Sequence, residues 1–150
     1  MGLVHSDRDL TVREICDDEE FGVWLSEIAH DYPSAAGSTL DDHHLVLTDA
    51  IGEWIGGLRY MLRGGVALVL EIAITPEERG RGYALRLIEG FETAARGNGA
   101  HIIEFWSDNL GLEPILEAVG WTRLLSRPEY IAGRTWHLYE KRLGSPNAQS

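Results

Sequence analysis

The sequence predicts an α/β chain of the α+β type, with a mixed, mostly antiparallel sheet of about seven strands and helices on both faces. Three observations lead there. Val66 to Ile74 is almost wholly apolar, as a central strand covered on both faces should be. A glycine-bearing loop, a helix and a second apolar strand at Ile102 to Trp106 follow it, and strand, helix, strand in that order is a right-handed parallel crossover. Short apolar segments before and after the crossover are joined by tight turns and so pair antiparallel. The 150 residues, 44% hydrophobic and 25% charged, suffice for one domain with its own core. That domain is placed at residues 10–143, between an N-terminal extension, 1–9, and a flexible tail, 144–150.

The elements follow in order. Leu10 to Ile15 alternates Leu10 and Val12 with polar residues and reads as a short first strand. Asp17 to Glu20 supplies an acidic helix start, favourable against the macrodipole, before Phe21, Trp24, Leu25 and Ile28 at helical spacing. Pro33 to Thr39 breaks that helix. His44 to Thr48 and Trp54 to Leu62 form a hairpin about Ala50 to Glu53, with Gly56 and Gly57 marking a bulge or a close approach. Arg63-Gly64-Gly65 turns into the strand at 66–74. The next helix runs from Tyr83 to Arg96, with Ala84, Ile88, Phe91 and Ala95 on one stripe and Gly97-Asn98-Gly99 as its stop. Beyond the strand at 102–106, Leu110 to Val119 reads as a helix with Pro114 near its first turn. Trp121 to Ser126 and Thr135 to Arg142 are two closing strands.

Charge is unevenly placed. The net charge is −11, and residues 1–58 carry all of it: 13 acidic side chains against only Arg8 and Arg13. This argues against nucleic acid on that part of the surface and for cationic partners, with solubilisation as the competing explanation. Cys16, the single cysteine, excludes an internal disulfide and a cysteine-cluster zinc site, and suits a cytoplasmic setting. No apolar run is long enough to span a bilayer, so no membrane partner is expected. His43 and His44 are adjacent, point opposite ways on a strand, and do not make a metal site.

Two features carry chemistry. Arg79-Gly80-Arg81-Gly82-Tyr83-Ala84 lies between a buried strand and a helix, where backbone N–H groups and the helix N-terminus converge to hold a phosphate or pyrophosphate. A dinucleotide fingerprint would need glycine at Leu85 and a Walker loop a Gly-Lys-Ser/Thr, so both fail. A plain strand-to-helix turn is the alternative. The second feature is Glu71, the one charged residue in the apolar strand. A carboxylate there is costly unless paired or placed at a cleft, and burial would shift it toward the range of a general base. Pairing with an arginine such as Arg59 is the competing reading.

Arg79-x-x-Gly82-x-Ala84, preceded by Ile72-Ala73-Ile74-Thr75-Pro76, resembles the acyl-CoA pyrophosphate loop of the GNAT (GCN5-related N-acetyltransferase) superfamily. Asn109 followed by Gly120-Trp121 is similar to a second, looser segment of that family, with Trp for Phe. The resemblance covers residues 10–143. It implies acetyl-CoA as cosubstrate, its pyrophosphate gripped around Arg79, Gly80, Arg81, Gly82, Tyr83 and Ala84. It also implies that the strands at 66–74 and 102–106 splay around the pantetheine arm, that Asn109 bonds the arm, and that N–H groups near Ile72, Ala73 and Ile74 polarise the thioester carbonyl.

Glu71 would be the base in direct transfer to a primary amine of a small cationic molecule or a peptide. The acceptor pocket would be walled by Trp24, Asp31, Tyr32, Asp41 and Asp42. The family often places a tyrosine acid seven residues after the asparagine, where this chain has Leu116. Tyr83, Tyr130 and Tyr139 are the possible substitutes, Tyr130 being carried forward as candidate acid. Homodimerisation is common in the family. A non-catalytic acyl-CoA sensor of the same fold is the rival reading, favoured by Leu116.

Overall fold

A computed structural model describes residues 10–15, 19–29 and 41–144. The chain divides into two units, residues 1–36 and 37–150. In the first, α1 spans Glu19–Ala29 and its Phe21 and Trp24 rings lie 6.0 Å apart, one helical turn from each other. Leu10 to Ile15 is not a strand, so among the described residues the strands number six against the expected seven or so. The alternation there was only two residues deep, because Ile15 falls off the parity of Leu10 and Val12. Leu10 and Val12 are 81% and 101% exposed, so no neighbour rewards an extended backbone. The expected break at Pro33 to Thr39 lies outside the described residues.

The second unit is a six-stranded sheet in the order β1-β2-β3-β4-β6-β5. Its strands are β1 (Asp41–Thr48), β2 (Trp54–Arg63), β3 (Val66–Ile74), β4 (Ile102–Ser107), β5 (Thr122–Arg127) and β6 (Trp136–Arg142). Only β3 and β4 pair parallel, bridged by α2 (Tyr83–Gly97) as the crossover rule requires. The helix expected at 110–119 is instead a 3-10 turn, Leu110–Leu112, followed by α3, Glu113–Ala118. Pro114 sits in the first turn of α3, where its missing N–H costs nothing, so the α-helix starts there and not three residues earlier.

One face of the sheet packs under α2, which lies across β1, β2 and β3. Leu87, Ile88, Phe91 and Ala95 form its buried stripe and meet Leu58, Tyr60, Ala67, Val69 and Ile103. Burying a side chain of Phe91's size contributes roughly 1.5–3 kcal/mol. Tyr60 and Phe91 meet edge to face at 5.0 Å, and Trp121 closes the cluster against Phe91 and Phe105. Lys141 ties β6 to this layer, donating to Glu92 Oε1 at 2.7 Å and to the Val119 carbonyl at 2.8 Å. Burial works to raise the Glu92 pKa, but the bonds from Lys141 and Arg96 outweigh it and hold the carboxyl below its ordinary value.

Close packing also explains a glycine. A Cβ at Gly56 would meet Ile74 Cδ1 at 2.6 Å and the Ala73 carbonyl oxygen at 3.1 Å, so the backbone of β2 approaches β3 as only glycine allows. The bulge expected beside it is present as well: Leu47 faces Gly56 while Thr48 faces Trp54, leaving Ile55 as the extra residue.

A candidate acyl-transfer cleft

The cleft begins with a bulge in β3. Arg59 of β2 faces Glu71 while the next residue, Tyr60, faces Val69, so Leu70 is the unpaired extra residue. Before the bulge the inward residues of β3 are Ala67 and Val69; after it they are Ile72 and Ile74, so the parity flips. Glu71 is thereby placed on the face opposite α2. Its side chain is 73% exposed, so the expected burial does not occur. The competing pairing does: Arg59 Nη1 donates to Glu71 Oε1 at 3.3 Å, and Arg59 Nε donates to Asp42 Oδ1 at the same distance.

Pairing of β3 with β4 stops at the same point. Val69 opposite Phe105 is the last pair, and beyond it the strands diverge. A cavity of about 350 Å³ opens between them, lined by Leu70, Glu71 and Ile72 on one side and by Phe105 to Asn109, Leu112 and Trp136 on the other. A second cavity of about 820 Å³ lies over β1, β2 and β3, with His44, Val46, Trp54, Gly57, Arg59, Glu71, Ala73 and Arg79 among its lining. Glu71 and Ile72 line both.

The loop after β3 ends at the N-terminus of α2. Gly80 and Gly82 have φ of +79° and +81°, and a Cβ at either would meet nothing within 4 Å, so the backbone conformation is what demands glycine. Gly82 caps α2 with no side-chain acceptor, so the first-turn N–H groups from Tyr83 onward point outward without an intrahelical partner. Arg79 Nε donates to the Ile74 carbonyl at 3.0 Å and so closes the end of β3. Arg81 pairs with Glu78 at 3.2 Å. The loop therefore offers backbone donors and two guanidinium groups to an anion.

Asn109 stands at the far side of the cleft. Its backbone N–H donates to Ser107 Oγ at 3.0 Å, and its Oδ1 accepts from the Gly111 N–H at 2.9 Å, which leaves Nδ2 as the end that can meet a ligand. The rest of the second motif is structural. Leu116 is fully buried in the core, Gly120 ends α3 at φ +97°, and Trp121 is a core side chain.

The tyrosines separate clearly. Tyr139 is fully buried and donates to Glu113 Oε1 at 2.8 Å; burial first and then that carboxylate push its pKa up. Tyr83 opens α2. Tyr130 meets Trp106 at a tilt, ring centroids 5.1 Å apart, and lies under the Arg127 guanidinium at 4.4 Å. Its loop is anchored by Arg134 to Asp108 at 3.0 Å and by Trp136 Nε1 donating to the Ile131 carbonyl at 2.8 Å. Tyr130 is thus a candidate whose ring touches Trp106, a residue lining the cleft.

Of the expected acceptor wall, Asp41 and Asp42 begin β1, and Asp42 is engaged by Arg59. Trp24 belongs to α1 in the other unit, while Asp31 and Tyr32 lie outside the described residues. His43 stacks on Tyr60 at 4.8 Å under α2, and His44 points the opposite way, 3.9 Å from Asp42. Trp54, Trp106 and Trp136 were missed by sequence reasoning as cleft residues; scattered tryptophans give no signal, since core packing is the default for each.

An open parallel strand pair with a glycine-bearing helix start at its end is an arrangement suited to an acyl-CoA. The chain belongs to the acetyltransferase (GNAT) family, whose model matches residues 10–121. It is thereby an N-acetyltransferase of a family that uses acetyl-CoA or another acyl-CoA as cosubstrate. Solved structures share the fold. One from Agrobacterium tumefaciens superposes with a TM-score of 0.67 at 21% identity, covering 90% of this chain and 99% of that one. An acetyltransferase from Bacillus cereus gives 0.65 at 17% identity, covering 88% and 98%. A chimeric spermidine N-acetyltransferase from Vibrio cholerae gives 0.60 at 16% identity, covering 85% and 81%. No curated protein sequence matches the chain. Among the described residues no helix is long and apolar enough to cross a membrane.

Proposed function

We propose that the protein transfers an acetyl group from acetyl-CoA directly to a primary amine, with Glu71 as general base. The observation that carries this reading is that the two cavities share Glu71 and Ile72: one opens between the diverging strands, the other over β1 to β3. The residues fit the cosubstrate. Backbone donors of Arg81 to Ala84 suit the pyrophosphate, the open edge of β3 at Ile72 to Ile74 suits the pantetheine arm, and Asn109 Nδ2 is left free to bond that arm. Acetyl-CoA supplies an activated thioester.

An amine is mostly ammonium at neutral pH and must lose a proton before its nitrogen attacks. Glu71 takes that proton and passes it to water. The C–N bond then forms at the thioester carbonyl, the C–S bond breaks, and the second proton from nitrogen goes to the departing sulfur. A thiolate is a tolerable leaving group, so an acid such as Tyr130 assists the step without being required for it. Strand N–H groups near Ile72 to Ile74 stabilise the developing oxyanion.

The second reading, an acyl-CoA sensor without turnover, is favoured by Leu116 at the usual tyrosine position and by the Arg59 hold on Glu71. Thiol release from acetyl-CoA in the presence of polyamines, aminoglycosides, amino acids and peptide N-termini decides between them. Amine-dependent release supports transfer; saturable CoA binding with no release on any amine supports the sensor. The model match from residue 10 to 121 runs through both units, which supports residues 10–143 as one catalytic domain. The single Cys16 supports a cytoplasmic setting.

A further inference from the structure

The acceptor side of the cleft carries a specific arrangement of charge. Arg59 and Glu71 stand side by side on β2 and β3, 3.3 Å apart, and both are open to solvent. Around them the cavity of about 820 Å³ is mostly apolar, with Val46, Trp54 and Ala73 as walls and Gly57 as bare floor, a size and character suited to a small organic ligand. Its charged lining is Glu71 against Arg59 and Arg79. That lining offers a polyamine, with its several ammonium groups, a single carboxylate.

Adjacent opposite charges on an apolar floor complement a molecule that carries an ammonium and a carboxylate on one carbon together with an apolar side chain. We propose that the acceptor is an apolar α-amino acid, its ammonium on Glu71 and its carboxylate on Arg59. This rests on the reading of Glu71 as the group that meets the amine.

Arrival of the acceptor is an exchange of partners. Glu71 gives up the guanidinium for the ammonium, and Arg59 gives up Glu71 for the carboxylate. Arg59 Nη1 then becomes available together with Nη2, the pair of donors that suits a bidentate carboxylate. Asp42 keeps its bond to Arg59 Nε at 3.3 Å, so the side chain stays in place while its other end changes partner. Asp42 is in this sense a positioning residue for Arg59. An amide or a decarboxylated amine would complete only half of the exchange and leave Arg59 without a counter-charge at that end.

The test measures binding and turnover with four probes: L-phenylalanine, L-phenylalaninamide, phenethylamine and spermidine. In calorimetry with the full chain, L-phenylalanine is expected to bind at least about tenfold more tightly than the other three. Arg59→Met is expected to abolish that preference, and Arg59→Lys, which keeps the charge and loses the fork, to restore part of it. In turnover with acetyl-CoA the same preference is expected in KM. Exposed ion pairs contribute little to folding, so the variants fold. Equal binding of amino acid and amide, tighter binding of spermidine, or a preference that survives Arg59→Met would each overturn the proposal. Failure of the base reading looks different: Glu71→Gln would turn over like wild type, whatever the carboxylate preference measured by binding.

Discussion

The two faces of β3 obey different rules. Toward α2, the strand presents Ala67, Val69, Ile72 and Ile74, which are buried or packed on the core, and Gly56 beside them could take a methyl group only if Ile74 and Leu87 shifted. Away from α2, the same nine residues present Leu70, Glu71 and Ala73 to open cavities. The bulge at Leu70 joins the two regimes, because it lets the inward face stay apolar while turning a carboxylate outward where β4 departs. Packing is thus held on one face and the open cavities on the other, and substitutions on the two faces should separate cleanly in what they damage.

The largest expected effect lies on the open face. Glu71→Gln should lower kcat about 10²- to 10⁴-fold, as removal of a general base does, while the melting temperature is unchanged. Steady-state kinetics beside a thermal melt checks both halves. Next comes the packed face: Phe91→Ala should cost about 3–5 kcal/mol of folding free energy, read by urea denaturation, with turnover per folded molecule preserved. Gly56→Ala should cost less, about 1–3 kcal/mol, since Ile74 and Leu87 must shift to admit the methyl group.

The smallest effect concerns charge on the open face of β4. Glu104 stands directly opposite Glu140; burial first and then that neighbour raise its pKa. A raised folded value means that the carboxyl adds stability below its ordinary pKa, and that this stability is lost as pH rises through the raised one. Glu104→Gln should therefore increase the melting temperature at neutral pH and flatten its rise on mild acidification. A decrease at neutral pH would show that Glu104 makes a favourable contact when ionised.

Much of this division was legible in the sequence, for identifiable reasons. Periodicity located α2 and its buried stripe because a helix that packs on a sheet must repeat its apolar residues at helical spacing. The apolar run at 66–74 marked a strand inside the sheet, although its second face proves open from Leu70 onward, and Gly80 and Gly82 marked the loop because their backbone angles admit little else. Alternation failed at Leu10 to Ile15, where a strand needs a neighbour and the sequence does not name one. The direction of Glu71 was not legible, since a single bulged residue reverses which side chains face inward and leaves no trace in composition. The Arg59 bridge from Asp42 to Glu71 depends on register across three strands, which no local pattern encodes. Leu116 and Trp121 read as motif positions, yet both belong to the core cluster that holds Phe91 and Phe105.

The most direct measurement is a crystal structure of the protein with acetyl-CoA. The thioester should lie between β3 and β4 beyond Val69 and Phe105, with the Glu71 carboxylate within hydrogen-bond reach of the acceptor side of its carbonyl, directly or through one water. A thioester bound elsewhere, or one separated from Glu71 by more than one water, would contradict the assignment of Glu71 to the reacting amine.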